Sequence, residues 1–303
     1  MSRPLIYGEV PPGLVEIPAG SLQISPLVPG SPILDGLAPE TYAGLLMRAP
    51  ANTLERRHEI GLALRALKPG APVIVLAAKD KGGTRLAKEL TGFGLCVSDT
   101  PKRHHRICEG TRPDHVVGLD EALAEGGMRH HAGLGFFSQP GLFSWDRVDA
   151  GTSALLSVLP TDLAGKVGDF GCGYGLLSKA VLKSPNVKSV TGYDIDRRAL
   201  AAAHLTITDP RFATVWTDVA AHGAGQSDFD VIVMNPPFHR AGVEDQGLGI
   251  AMIEAAANAL MRGGCLWLTA NRHLPYEAVL QKRFSTGQLI VESDGFKVYR
   301  AQK

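Results

Sequence analysis

Asn235-Pro236-Pro237-Phe238 places an amide side chain, two rigid backbone carbonyls and an aromatic ring in four consecutive positions. An amide oxygen and a neighbouring carbonyl can accept the two hydrogens of a planar amine, and a ring can stack on the base that carries it. The set suits holding a flat NH2 group with its lone pair aimed at an electrophile. A second set lies upstream, where Asp169 precedes the glycine run Gly171-Cys172-Gly173-Tyr174-Gly175, and Asp194 and Asp218 close the next two apolar stretches. Glycines let the backbone pass close under a ligand, a helix start offers unpaired N–H groups, and a carboxylate can grip a ribose diol. Singly, Asn-Pro marks ordinary turns, and an isolated aspartate is as well explained as a loop acid or helix cap. The case rests on their order along the chain.

These residues need strands that end where they stand. Val231-Ile232-Val233-Met234 is a buried parallel strand by composition, and the two prolines after it have no N–H to extend the ladder, so the chain must turn out at the carboxyl edge of the sheet. Lys166–Phe170, Val190–Asp194 and Ala213–Asp218 have the same character, and a helix is expected from Leu176 to Leu182 after the glycines. A further helix over Leu248–Met261 is stopped by Arg262-Gly263-Gly264, with a strand over Cys265–Thr269.

The N-terminal half repeats this order. Tyr42–Met47 reads as a strand, a helix follows with Asn52 as its cap, Lys68-Pro69-Gly70 stops it, and Val73–Ala78 is the next strand before a helix over Thr84–Leu90. Met47-Arg48-Ala49-Pro50 then falls where Met234-Asn235-Pro236-Pro237 does, without the amide and with one proline fewer. Either a duplicated domain has kept its fold and lost its site, or a common strand-helix-strand unit has recurred by chance. The first dozen residues are expected to be irregular, and the stretch between Leu14 and Leu34 to form short strands or an extended arm. Pro101-Lys102-Arg103-His104-His105-Arg106 is the densest basic cluster, open to reading as a solvated face or as a phosphate-tracking patch. Adjacent His130 and His131 make a poor metal pair.

With 303 residues, 45% of them hydrophobic, the chain has room for two cores, and its net charge of +1 gives no overall pull toward nucleic acid. Four cysteines form no Cys-x-x-Cys pair, so neither a disulfide framework nor a zinc site is indicated. No signal pattern or membrane-length apolar run is present, so a cytoplasmic protein without metal or membrane attachment is expected.

Asp169-Phe170-Gly171-Cys172-Gly173-Tyr174-Gly175 resembles the cofactor loop of class I S-adenosylmethionine-dependent methyltransferases, and Asn235-Pro236-Pro237-Phe238 resembles the motif with which those enzymes act on amino nitrogens. The chain is most similar to the small-subunit ribosomal RNA guanine-N2 methyltransferases and their large-subunit relatives. Pro140–Ser144, Asp149–Thr152, Ala270–Tyr276 and Phe296–Arg300 carry that likeness from about Gly133 to the end. Phe170 stands where relatives more often have an aliphatic residue.

The resemblance implies an α/β protein with a Rossmann-like seven-stranded methyltransferase domain over residues 133–303. It also implies a degenerate methyltransferase-like α/β domain over 1–132, used in folding or RNA docking. S-adenosylmethionine would be held at Asp169, Gly171, Gly173 and Gly175 by its methionine part, at Asp194 by its ribose and at Asp218 by its adenine amine. Asn235, Pro236, Pro237 and Phe238 would hold a guanine of ribosomal RNA or of a ribosomal subunit, with the protein acting as a monomer. Large-subunit RNA, an adenine amine and a protein glutamine are alternative acceptors, and a non-catalytic RNA-binding module is the alternative of another class. A dinucleotide-dependent dehydrogenase is disfavoured, because Leu176-Leu177 stands where the last glycine of the Gly-x-Gly-x-x-Gly fingerprint would fall.

Overall fold

The computed structural model describes residues 2–303 except Phe238, Ala241, Gly242 and Asp245, with the backbone alone described at His239, Arg240, Val243 and Glu244. The chain divides into two compact units, Met1–Arg129 with Gln139–Gly141, and His130–Ser138 with Leu142–Lys303.

In the N-terminal unit the strands are β1 (Leu5–Tyr7), β2 (Leu22–Gln23), β3 (Leu45–Arg48), β4 (Pro72–Ala78), β5 (Val97–Lys102) and β6 (His105–Thr111). The helices are α1 (Thr53–Ala66), α2 (Thr84–Gly92) and α3 (Leu119–Gly126). One sheet has the order β2-β1-β3-β4-β6-β5. Asn52 caps α1 as expected, its Oδ1 accepting from the N–H groups of Leu54 and Glu55 at 3.0 and 3.1 Å.

One expectation fails here. Leu5–Tyr7 is a buried strand inside the sheet, paired on both sides, where irregular chain was expected. Three residues between Pro4 and Gly8 are too few to show a strand period. The basic cluster is exposed from Pro101 to His104, in keeping with a solvated face, while some of its donors are used internally. Lys102 donates to the Leu14 carbonyl at 2.7 Å, Arg103 to that of Pro12 at 3.3 Å, and Arg106 to Asp99 at 2.8 Å. These bonds tie down the N-terminal segment and the β5–β6 hairpin.

The C-terminal unit carries strands β7 (Arg129–His131) and β8 (Phe136–Ser138), then β9 (Gly165–Phe170), β10 (Val187–Asp194), β11 (Phe212–Trp216), β12 (Phe229–Met234), β13 (His239–Arg240), β14 (Val243–Glu244), β15 (Leu260–Asn271), β16 (Thr286–Ser293) and β17 (Phe296–Gln302). Its helices are α4 (Ala150–Val158), α5 (Leu176–Val181), α6 (Arg197–Thr206), α7 (Val219–His222), α8 (Gln246–Ala259) and α9 (Glu277–Arg283). The main sheet runs β11-β10-β9-β12-β15-β17-β16, parallel from β11 to β15 and antiparallel beyond.

Alternate residues of β12 feed different cores: Ile232 and Met234 pack with Phe170 and Leu268, and Val231 and Val233 with Val167 and Trp267. A strand buried on both faces has no polar alternation, which is why its sequence is an unbroken apolar run. Arg262-Gly263-Gly264 ends α8 but lies within β15, where the pairing with β12 jumps from Leu260 to Cys265.

The two sheets correspond strand for strand: β2-β1-β3-β4-β6-β5 follows the order β10-β9-β12-β15-β17-β16. Registers agree as well, with Tyr7 beside Met47 as Phe170 is beside Met234. Ile6, Gly8, Ser25 and Arg48 therefore occupy the places of Asp169, Gly171, Asp194 and Asn235.

Candidate active site

Sheet register sets the site. Phe170 on β9 pairs with Met234 on β12 and with Tyr193 on β10, so Gly171, Asn235 and Asp194 all leave the sheet at one level. Strands lie about 4.8 Å apart, which places Asp194 and Asn235 about 10 Å apart on either side of the glycine turn. Asp218 follows β11, the next strand outward, so the row runs Asp218, Asp194, glycine turn, Asn235 along one carboxyl edge.

The turn needs its glycines. Gly171, Gly173 and Gly175 have φ of +74°, +54° and +86°, a region costly for side-chain-bearing residues. At Gly175 an added Cβ would lie 2.8 Å from Ile207, whereas at Gly173 nothing stands within 4 Å. Gly173 donates its N–H to Asp194 Oδ2 at 2.9 Å, and the other oxygen of Asp194 accepts from Asp196 N at 2.8 Å. The Tyr174 ring stacks on Phe136, and its hydroxyl donates to the Arg147 carbonyl at 3.0 Å, holding the Ser144–Arg147 segment beside the turn.

Asp169 is fully buried, and its Oδ2 accepts from Ser178 N at 3.0 Å and Ser178 Oγ at 2.7 Å. Oδ1 has no hydrogen-bond partner among the described residues. A buried carboxylate oxygen left unpaired is costly and calls for a donor. Burial pushes the Asp169 carboxyl up to about 7 against the hydrogen bonds from Ser178, with the charge of Asp194 adding to the rise. Burial likewise raises Asp194 to about 6. S-adenosylmethionine, with its ammonium, ribose diol and adenine, fits these groups: an unmatched buried acceptor, an open glycine shelf and two carboxylates in line.

Both raised carboxyls bear on stability. The folded chain keeps protons that the unfolded chain, with carboxyls near 3.9, has already released. The stabilisation is complete below about pH 4 and is lost as pH rises through about 6 to 7. The melting temperature of the ligand-free protein should therefore fall across that window, and Asp169→Asn should flatten the slope. Glu277 acts elsewhere: burial would raise it, but hydrogen bonds from Lys297 and Tyr299 hold it at about 2, so its contribution is lost only in stronger acid.

On the acceptor side, Asn235 Nδ2 donates to Asp149 Oδ2 at 2.8 Å and to Thr152 Oγ1 at 2.9 Å. The reverse amide orientation would set its oxygen against a carboxylate, so the network fixes the orientation. Both amide hydrogens are engaged, and Oδ1 remains as the acceptor. Asp149 and Thr152 belong to α4, where Asp149 is the N-cap and its Oδ2 also accepts from Thr152 N at 2.9 Å. Gly151 between them is required, since a Cβ there would come within 2.8 Å of the Phe296 ring.

Pro236 is buried and Pro237 exposed. Phe238 lies outside the described residues, as do the side chains of His239 and Arg240. Asp218 serves as the N-cap of α7, its Oδ1 accepting from Ala220 and Ala221, so the capping explanation of this residue holds whatever else it binds. Lys297 and Tyr299 meet at Glu277 Oε1, at 2.7 and 2.5 Å, and Tyr299 is buried. A groove of about 500 Å³ lined by Arg57, Arg85, Lys88 and Phe93 belongs to the N-terminal unit and to none of the elements carrying the strand-end row.

Among the described residues no group of three or more His, Cys, Asp or Glu side chains could hold a metal ion. No helix among them is long and apolar enough to cross a membrane.

A profile described as methyltransferase small domain matches residues 133–300, more than half of the chain. The ribosomal RNA small subunit methyltransferase C of Erwinia tasmaniensis is 36% identical over 268 residues, covering 84% of this chain and 74% of the relative. That of Acinetobacter baylyi is 30% identical over 241 residues, covering 77% and 71%. Among solved structures, the T. thermophilus 16S rRNA N2 methyltransferase RsmC, in complex with AdoMet and guanosine, superposes with a TM-score of 0.74 at 25% identity, covering 89% of this chain and 76% of that one. With these matches spanning both units, the protein belongs to the methyltransferase small domain family.

Proposed function

We infer that the protein transfers a methyl group from S-adenosylmethionine to the exocyclic N2 of a guanine in small-subunit ribosomal RNA. One observation carries this reading: an asparagine amide, with both hydrogens tied to α4, stands level with a glycine turn that has an unmatched buried carboxylate oxygen behind it. Kinship with small-subunit enzymes over about three quarters of both chains points to the acceptor, and guanine 1207 of 16S RNA, named for the T. thermophilus relative, is the position to examine first.

The bound cofactor supplies a methyl group made electrophilic by its sulfonium sulfur. The task of the protein is to present a poor nucleophile, since the guanine amine shares its lone pair with the ring. Asn235 Oδ1 and the Pro236 carbonyl accept the two N2 hydrogens, draw the nitrogen toward a tetrahedral shape and favour the positive charge that grows on it. When bound, the cofactor would supply the methyl carbon to the N2 lone pair and keep the carbon–sulfur pair on sulfur, with the surplus N2 proton leaving to water. Asp169 Oδ1 would receive its ammonium, the Gly171–Gly175 turn would underlie its methionine part, and Asp194 and Asp218 would hold the ribose and the adenine amine. Phe238, by the resemblance of its motif, would supply the ring that stacks on the base. In-line positioning of two bound reactants can remove about 7–11 kcal/mol of barrier. The guanine must be unpaired or drawn from its helix to reach the amide.

The N-terminal unit, in this reading, is a degenerate copy of the catalytic one, serving folding or RNA docking. Its strand order supports this, as do Ile6, Ser25 and Arg48 at the places of Asp169, Asp194 and Asn235. The protein works as a monomer in the cytoplasm, where ribosomal subunits are.

Incubation with methyl-labelled cofactor and, separately, small subunits, large subunits, assembled ribosomes, DNA and bulk protein tests the assignment. Label should appear in small-subunit RNA as N2-methylguanine. Label confined to protein, to DNA or to large-subunit RNA would refute it.

A further inference from the structure

We propose that Asp149 is a positioning residue for methyl transfer, acting through Asn235 by fixing the amide and charging its oxygen. The proposal rests on the amine-transfer reading above and concerns how that site is tuned.

The geometry is specific. A single oxygen of Asp149, Oδ2, receives both the Thr152 N–H that caps α4 and one Asn235 amide hydrogen, while Thr152 Oγ1 receives the other. Asn235 can then rotate only by breaking a bond to a carboxylate and a bond to a hydroxyl together. A carboxylate drawing on an amide N–H also shifts the amide toward its polar resonance form, which places more negative charge on Oδ1. That oxygen faces the amine whose nitrogen becomes positive as the methyl arrives, so the gain belongs to the transition state more than to the bound substrate. Asp149 touches neither reactant in this scheme. The phenol of Tyr174 feels the charge of Asp149, together with those of Arg147 and Asp146.

Capping and positioning are separable by substitution. Asp149→Asn retains an acceptor oxygen for both Thr152 N and Asn235 and removes only the charge. Asp149→Ser keeps a good N-cap but is too short to hold the amide. With small subunits as substrate, Asp149→Asn should lower kcat about tenfold, the loss of one charge-assisted bond. Asp149→Ser should lower it about 100-fold, the added loss of a fixed amide orientation. In both, KM for the subunit, cofactor affinity by calorimetry and melting temperature should stay near wild type. The Asn235 side-chain ¹⁵N resonance should shift in Asp149→Asn and lose exchange protection in Asp149→Ser.

Wild-type kcat in either variant, or an unmoved Asn235 resonance, overturns the proposal. So does a loss of activity that follows KM or melting temperature. If the wild-type enzyme methylates a different amine, the functional reading fails while the same comparison on that amine still judges Asp149.

Discussion

Asn235→Ala is expected to lower turnover on small subunits by about 10³-fold, comparable to removing one preorganised group that meets developing charge in other enzymes. Both hydrogens of the amide are tied to fixed partners, leaving its oxygen committed to one direction. Alanine removes that acceptor while the buried Pro236 and the glycine turn are untouched. Cofactor affinity, read by calorimetry, should remain at the wild-type value, because the described bonds of Asn235 run to α4 and not to the turn. A variant that no longer binds the cofactor would show that Asn235 belongs to the other half of the site.

Asp169→Asn is expected to separate stability from binding. Asparagine retains an oxygen for the Ser178 N–H and hydroxyl, so the local fold survives. It loses the charge that we propose meets the cofactor ammonium, and on that reading the affinity for S-adenosylmethionine should drop about 100-fold, some 2.7 kcal/mol, within the range for truncating one partner of a buried charged hydrogen bond. Above pH 7 the ligand-free variant should melt higher than wild type, since it no longer buries a carboxylate whose protonation is favoured up to about 7. Calorimetry and thermal melting read the two effects independently. Unchanged affinity would remove Asp169 from the binding site, and a lower melting point would show that the carboxylate stabilises the empty turn.

The end of β12 was legible because a parallel strand buried on both faces is written as an unbroken apolar run. Val231–Met234 declares itself, and the residue after that run is placed at the sheet edge by topology alone. Asp149 was not legible in the same way. It stands 86 positions from Asn235, and at sequence level it belongs only to the Asp149–Thr152 stretch that carries the family likeness. The partnership is a product of tertiary packing, for which periodicity has no signal. Ser178 escaped notice for a related reason: a serine inside a short helix matters here because it turns back to the strand before the glycines. The short β1 was missed because three residues cannot display a period of two, whereas β2 falls in the stretch where short strands were expected.

Arg56 carries a consequence for the N-terminal unit. Its guanidinium is wholly buried, forms two 2.7 Å bonds with Glu89, and donates at 2.9 Å to the carbonyls of both Pro50 and Ala51, just after β3. In the shared register Arg48 and Ala49 stand at the places of Asn235 and Pro236, and the two bonded carbonyls come directly after them. An asparagine written at Arg48 would therefore enter a turn whose next two oxygens already serve an internal cation, and it would gain an amide without gaining an open edge.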